Sequence, residues 1–136
     1  FKLSKEFMVL SEVGSKEEGV IIHPSRWIKM MENELKAGAF KVIAEARESG
    51  NVGIYHKNGT AHTMLINRIV NKIKIENIIW ETPQKSQQVY FLKLFGSNVN
   101  VGNISIDDVI PLETLRLGLR GDTFFTFLPE SINKPI

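Results

Sequence analysis

The chain contains no cysteine, so disulfides, thiolate nucleophiles and cysteine-ligated zinc are excluded; a reducing compartment fits, and the cytoplasm is the expected location. No apolar run approaches the roughly 18–20 residues of a membrane span, and Phe1-Lys2-Leu3-Ser4 does not open a signal peptide. Charge of one sign is also lacking. Seventeen basic residues face 15 acidic ones, for a formal net charge of +2, which argues against a nucleic-acid or membrane surface built on charge density. Neither a Gly-x-Ser-x-Gly elbow nor a phosphate-cradling Walker loop occurs, so serine hydrolase and nucleotide hydrolase chemistry are not expected. The three histidines, His23, His56 and His62, have no ligand-like spacing and are assigned to surface, turn or helix-start positions. Asn58-Gly59-Thr60 and Asn103-Ile104-Ser105 match the glycosylation pattern but are read as turn formers.

What is present is an ordinary core composition, 43% hydrophobic and 24% charged over 136 residues, enough for one globular domain. Three apolar runs stop on a glutamate: Met8-Val9-Leu10-Ser11-Glu12, Lys41-Val42-Ile43-Ala44-Glu45 and Asn77-Ile78-Ile79-Trp80-Glu81. Their spacing of roughly 30–40 residues accommodates a strand, a crossover helix and two loops. Pro24-Ser25 offers a helix start, Trp27, Ile28, Met31 and Leu35 recur at helical spacing, and Gly38 closes the segment. Gly53 to Thr63, with an Asn58-Gly59 turn, reads as a small hairpin before a second helix striped by Leu65, Ile66, Ile69, Val70 and Ile73. A third helix is expected from about Gln84 to Phe95, with Val89, Leu92 and Phe95 buried and Gly96 as its stop. A short polar strand is expected at Asn98 to Val101. A last helix is expected from the cap at Ser105-Ile106-Asp107-Asp108, carrying Leu112, Leu115, Arg116, Leu119 and Arg120, with a kink or break at Pro111. Trp27 and Trp80 belong to the core.

Four strands alternating with four helices predict an α/β fold with a parallel sheet. The order fits a small doubly wound domain or half of a TIM-type (βα)8 barrel. The equivalent strand ends and the lack of a glycine-rich fingerprint after the first strand favour the half-barrel. Residues 1–126 are assigned to four βα units, the C-terminal half of a barrel, and 127–136 to an irregular tail.

Strand alternation puts Met8, Leu10 and Glu12 on one face, Ile43, Glu45 and Arg47 on one face, and Ile79 with Glu81. Facing into a barrel, Glu12, Glu45 and Glu81 converge on its upper rim, and an oxygen-rich site of that kind suits Mg2+. Each glutamate taken singly fits a structural ion pair with Arg47, Lys16 or Lys85 equally well. Lys16, Arg47 and Lys85 follow the three strands and suit an anionic substrate, Arg47 as a planar fork; Lys85 and Gln84 also read as solvated first-turn residues. Asn98, Asn100 and Asn103, with Gly96 and Gly102, precede a helix N-terminus, where (βα) barrels often seat phosphate.

The strings Val9-Leu-Ser-Glu-Val-Gly-Ser-Lys16, Val42-Ile-Ala-Glu-Ala-Arg-Glu-Ser-Gly50, Ile79-Trp-Glu-Thr-Pro-Gln-Lys-Ser-Gln-Gln88, Phe95-Gly-Ser-Asn-Val-Asn100 and Leu112-Glu-Thr-Leu-Arg-Leu-Gly-Leu-Arg-Gly-Asp-Thr-Phe124 together resemble the phosphosulfolactate synthase family over about residues 7–125. The resemblance implies a (βα)8 barrel of which the later four strands are present. It implies a lyase-type activity, the magnesium-dependent addition of sulfite to phosphoenolpyruvate giving 2-phospho-3-sulfolactate, toward coenzyme M or sulfolactate. It further implies Glu12, Glu45 and Glu81 around the metal, Lys16 as proton donor, and Arg47 on phosphate or sulfite. Ser49, Gly50, Lys85, Asn100 and Asn103 are the implied further substrate contacts. The expected partners are these small anions, with the missing N-terminal half or a further copy covering the sheet edges. Alternatives are a non-enzymatic relative, since plant heat-stress-associated proteins resemble this family, and an inactive half-barrel oligomer. Retention of Glu-Val-Gly-Ser-Lys and Glu-Ala-Arg-Glu-Ser-Gly favours the enzyme.

Overall fold

Short runs of alternating aliphatic residues become four parallel strands in the computed structural model of the chain, which describes residues 1–15, 22–47 and 49–128. They are β1 (Leu10–Val13), β2 (Lys41–Ala44), β3 (Ile78–Glu81) and β4 (Val101–Gly102). The sheet order is β1-β2-β3-β4, and every pairing is parallel. Strands that follow one another in sequence and in space form an arc of a (βα) barrel; a doubly wound sheet reverses its order at a switch point. The chain is therefore an α/β half-barrel of four βα units.

Helices α1 (Pro24–Lys36), α2 (Thr63–Val70), α3 (Lys85–Phe95) and α4 (Val109–Arg116) follow the four strands in turn, and a short α5 (Phe124–Phe127) comes last. The start of α1 is set by Pro24, whose fixed φ suits a first helical residue, and by the His23 ring, which accepts from the Ser25 N–H. One face of the sheet is dry. Val13, Val42, Ala44, Ile78 and Trp80 point toward the helices and are buried with Trp27, Met31, Ile66, Ile69, Phe91 and Leu92. Trp80 stacks on Phe91 with ring centroids 4.8 Å apart, and on Phe95 at 5.8 Å; burial of each such side chain contributes about 1.5–3 kcal/mol. The alternate positions form the other face, where Leu10 and Glu12 are exposed and Ile43 and Ile79 half-buried.

Several boundaries differ from the sequence expectation. β4 is two residues long and begins at Val101, so Asn98 lies in the preceding turn. α4 is preceded by a 3-10 turn, Ile106–Asp108, so Pro111 is the third residue of the helix. An N–H there has no intrahelical acceptor, so Pro111 neither kinks nor breaks the helix. Leu119 and Arg120 fall beyond the end of α4, and Leu119 is exposed. In α3 the fully buried side chains are Gln87, Gln88, Phe91 and Leu92, whereas Val89 and Phe95 are half-buried. α5 lies across the expected start of the tail at residue 127, and residues 129–136 are outside the described ones.

Candidate metal and anion site

The C-terminal ends of the strands gather Glu12, Glu45 and Glu81, and one carboxylate oxygen of each lies within 4.8 Å of the others. The three acids are not level. Glu12 pairs with Ile43 in the β1–β2 register, whereas Glu45 is one residue beyond the Ala44–Trp80 pair and so stands opposite Glu81. Glu12 therefore sits one pleat lower and is exposed, while Glu45 and Glu81 are buried. Adjacent strands stagger around a barrel, which is how acids at unequal levels still converge.

Hydrogen bonds fix the two buried acids. Glu81 Oε2 accepts from the Ala46 N–H at 2.6 Å, which ties the side chain at the end of β3 to the backbone beyond β2. The loop between β2 and α2 braces both acids through their backbones: the Ile54 N–H donates to the Glu45 carbonyl, and the Tyr55 hydroxyl donates to the Glu81 carbonyl at 2.5 Å. Burial, and after it the nearby charge of Glu81, push the Tyr55 phenol up from its usual range, so it remains a neutral donor. Gly53 lies directly against this brace, with φ of 77°, and a Cβ on it would meet the Glu45 carbonyl oxygen at 2.0 Å.

Three carboxylates this close suit a hard cation. An octahedral Mg2+ with ligands at about 2.1 Å spans about 4.2 Å between opposite oxygens. The 4.8 Å spread thus admits direct ligation by some of the acids and water-mediated contact by another. The donor set, all oxygen with no histidine or thiolate, suits a hard ion such as magnesium, calcium or manganese rather than a softer metal.

The expected anion ligands divide between places. Arg47 follows Glu45 and Ala46 and is exposed; among the described residues no hydrogen bond or ion pair holds its guanidinium. Ser49 and Gly50 close the turn that begins at Arg47, through the Gly50 N–H and the Arg47 carbonyl at 2.7 Å. Asn103, in the left-handed region with φ of 54°, reaches back to the Ala46 carbonyl at 3.4 Å, so it belongs to the same rim. Asn100 does not. It precedes β4, and its amide donates to the carbonyls of Glu76 and Ile78 at the opposite end of β3. Lys85 pairs with Asp122 at 2.8 Å on the surface, and this lysine holds the Asp122 carboxyl below its usual range. The 3-10 turn leading into α4 already carries Asp107 and Asp108, so its dipole meets two acids. Lys16 and Glu48 lie outside the described residues.

Sequence reasoning missed Tyr55 and the glutamines of α3. Gln84 caps the helix in a reciprocal capping box with Gln87. Gln87, polar yet placed four residues before Phe91 on the core stripe, was the readable signal. The histidine positions agree with the expectation, His23 and His62 at helix starts and His56 exposed in the hairpin turn. The His56 and His62 rings also lie against each other, tilted by 42° with centroids 3.5 Å apart. Burial first, and then His56, lower the His62 pKa from its ordinary value. Asn58 forms the turn expected of it, accepting from both the N–H and the hydroxyl of Thr60.

A family model described as (2R)-phospho-3-sulfolactate synthase (ComA) matches residues 2–122. Among curated proteins, the chain is similar to the phosphosulfolactate synthase of Methanothermobacter thermautotrophicus, at 48% identity over 120 residues, covering 86% of this chain and 46% of that relative. It is also similar to that of Bacillus subtilis, at 46% identity over 125 residues, 90% of the chain and 50% of the relative. The corresponding protein of Methanocaldococcus jannaschii is 47% identical over 121 residues, 87% of the chain and 48% of the relative. The chain thus spans about half the length of the curated relatives it matches. No helix among the described residues is long and apolar enough to cross a membrane.

Proposed function

Because the chain belongs to the phosphosulfolactate synthase family, we propose that it supplies half of the active site for adding sulfite to phosphoenolpyruvate. The product is 2-phospho-3-sulfolactate. The single observation that carries this reading is the convergence of Glu12, Glu45 and Glu81 on one rim, beside the exposed Arg47. On this reading about four further βα units cover the open sheet face around Leu10, Ile43 and Ile79 and complete the barrel. The reaction takes place in the cytoplasm, on small anions, with no nucleic acid or membrane partner.

Two anions must meet, and each residue has a part in that. Glu12, Glu45 and Glu81 hold Mg2+, directly or through water; when bound, it supplies positive charge where negative charge develops on the substrate carboxylate. Arg47 takes the phosphate or the sulfite with two parallel N–H bonds. Ser49, Gly50 and Asn103 line that anion's approach, with Lys85 and Asn100 as outer residues of the expected set. The sulfite sulfur forms a bond to the methylene carbon of phosphoenolpyruvate, and the π pair of the double bond moves toward the carboxylate. The Lys16 ammonium then donates its proton to the neighbouring carbon, which carries the phosphate, and the double bond is gone.

The test uses the protein at its natural length, with phosphoenolpyruvate, sulfite and Mg2+, and phosphosulfolactate is measured directly. Product is expected with metal and is lost on chelation. Glu81→Gln keeps an acceptor for the Ala46 N–H but removes a metal-binding charge, and is expected to lower kcat/KM by about a hundredfold or more. Lys16→Ala abolishes turnover while leaving substrate binding largely intact. No product at any metal concentration, or full activity in Glu81→Gln, would sink the reading.

A further inference from the structure

Arg47 is exposed and nothing among the described residues grips its guanidinium, so its place on the rim is set by its backbone. That backbone is held at both ends. Upstream, the Ala46 N–H is bound by Glu81 Oε2. Downstream, the Gly50 N–H closes a turn onto the Arg47 carbonyl at 2.7 Å, and the Gly50 carbonyl accepts from Gln87 Nε2 at 2.7 Å. The same Nε2 donates to the Gly59 carbonyl at 3.1 Å, while Gln87 Oε1 accepts from the Gln84 N–H at 3.1 Å. Gln84 Nε2 adds a bond to the Ser49 carbonyl at 2.6 Å. Gln87 is 2% exposed, and a buried amide is retained at such a place only when its donors and acceptor are matched.

We propose that Gln87 is a positioning residue for Arg47: from the first turn of α3 it latches Gly50 and Gly59 and so keeps the Gly50 N–H on the Arg47 carbonyl, which fixes the Arg47 backbone that presents the guanidinium to an oxyanion. This rests on the reading of Arg47 as the oxyanion ligand. The latch is separable from the helix cap. In Gln87→Glu one carboxylate oxygen still accepts from the Gln84 N–H, and glutamate is the favoured partner at that capping position. The other oxygen replaces Nε2 and faces two carbonyls, so the latch opens while the cap is kept.

The experiment compares wild type, Gln87→Glu, Arg47→Ala and the double variant at natural length. It reads the KM for phosphoenolpyruvate, kcat, and the affinity for inorganic phosphate by calorimetry. Gln87→Glu is expected to raise KM and weaken phosphate binding about tenfold, with kcat changed by less than about threefold. In the Arg47→Ala background it has no further effect on phosphate affinity, the mark of a residue acting through another. If Gln87→Glu fails to fold, Gln84→Met, which removes only the Ser49 contact and one cap bond, carries the test with a smaller shift in the same direction. Unchanged phosphate affinity, an effect that persists without Arg47, or no phosphate binding by wild type overturns the proposal. Wild type that binds phosphate but forms no product removes the synthase reading alone, because the phosphate titrations still decide the latch.

Discussion

Gly53→Ala puts a methyl group where the backbone has left no space. The residue has φ of 77°, and the new Cβ would lie 2.0 Å from the Glu45 carbonyl oxygen and 3.0 Å from its carbon. Both are main-chain atoms, so no side-chain rotation relieves the contact. Two costs add: the backbone conformation itself, about 1–3 kcal/mol for a residue with a Cβ, and the displacement of neighbours, another 1–3 kcal/mol or so by the usual scale of overpacking. Gly118→Ala separates them. Gly118 has a comparable φ of 69°, but a Cβ there would make only ordinary contacts at 3.4 Å or more, so it bears only the first cost. In urea unfolding followed by circular dichroism, Gly53→Ala should lose at least about 2 kcal/mol and exceed Gly118→Ala by at least about 1 kcal/mol. The displaced atom is the carbonyl of Glu45, so Mg2+ affinity should fall in Gly53→Ala and stay unchanged in Gly118→Ala. Equal stability losses in the two variants would refute the reasoning.

Phe91→Ala removes the ring stacked on Trp80 from a fully buried site and is expected to cost about 3–5 kcal/mol in the same unfolding assay; a loss under about 1 kcal/mol would mean that α3 does not pack as described. His62 has its pKa lowered from the ordinary 6.5, so the unfolded chain binds its proton first as pH falls. Its contribution to stability is whole above about pH 6.5 and declines below it, levelling off once the folded-state pKa is passed. His62→Gln should flatten that decline in melting temperature between about pH 7 and 5, and an unchanged profile would assign the acid sensitivity elsewhere.

The parts of the fold legible in the sequence are those governed by local chemistry. Period-two alternation located β1, β2 and β3, and Pro24, Gly38 and Gly96 delimited helices through their own backbone preferences. The acids at the strand ends were visible because a buried strand rarely carries them. What was not legible depends on pairing across the chain. The unequal height of Glu12 and Glu45 is a matter of register, which no single strand encodes. β4 was placed too early because Asn98 and Asn100 resemble a polar strand, whereas Asn100 is occupied with the carbonyls of Glu76 and Ile78. Pro111 leaves the helix unbroken because the 3-10 turn at Ile106–Asp108 delays the start of α4, a shift that no local residue preference announces. Gln84 reads as a solvated first-turn residue, whereas its side chain donates to the Ser49 carbonyl, a partner that lies 35 residues away in the chain.

The strands have one further consequence, which concerns insertions and deletions. Each is four residues long or shorter, and neighbouring residues serve opposite purposes: Ala44 and Trp80 build the dry core, Glu45 and Glu81 the charged rim. A slip of one residue along β2 or β3 would exchange those roles, burying a carboxylate among Phe91 and Ile66 and turning an indole toward the rim. Loops absorb a change of length by bulging, and here the strands have no such slack. Variation in the length of this protein should therefore gather in its connections, such as the hairpin around Asn58, and be absent from the spacing between each glutamate and the aliphatic residues before it.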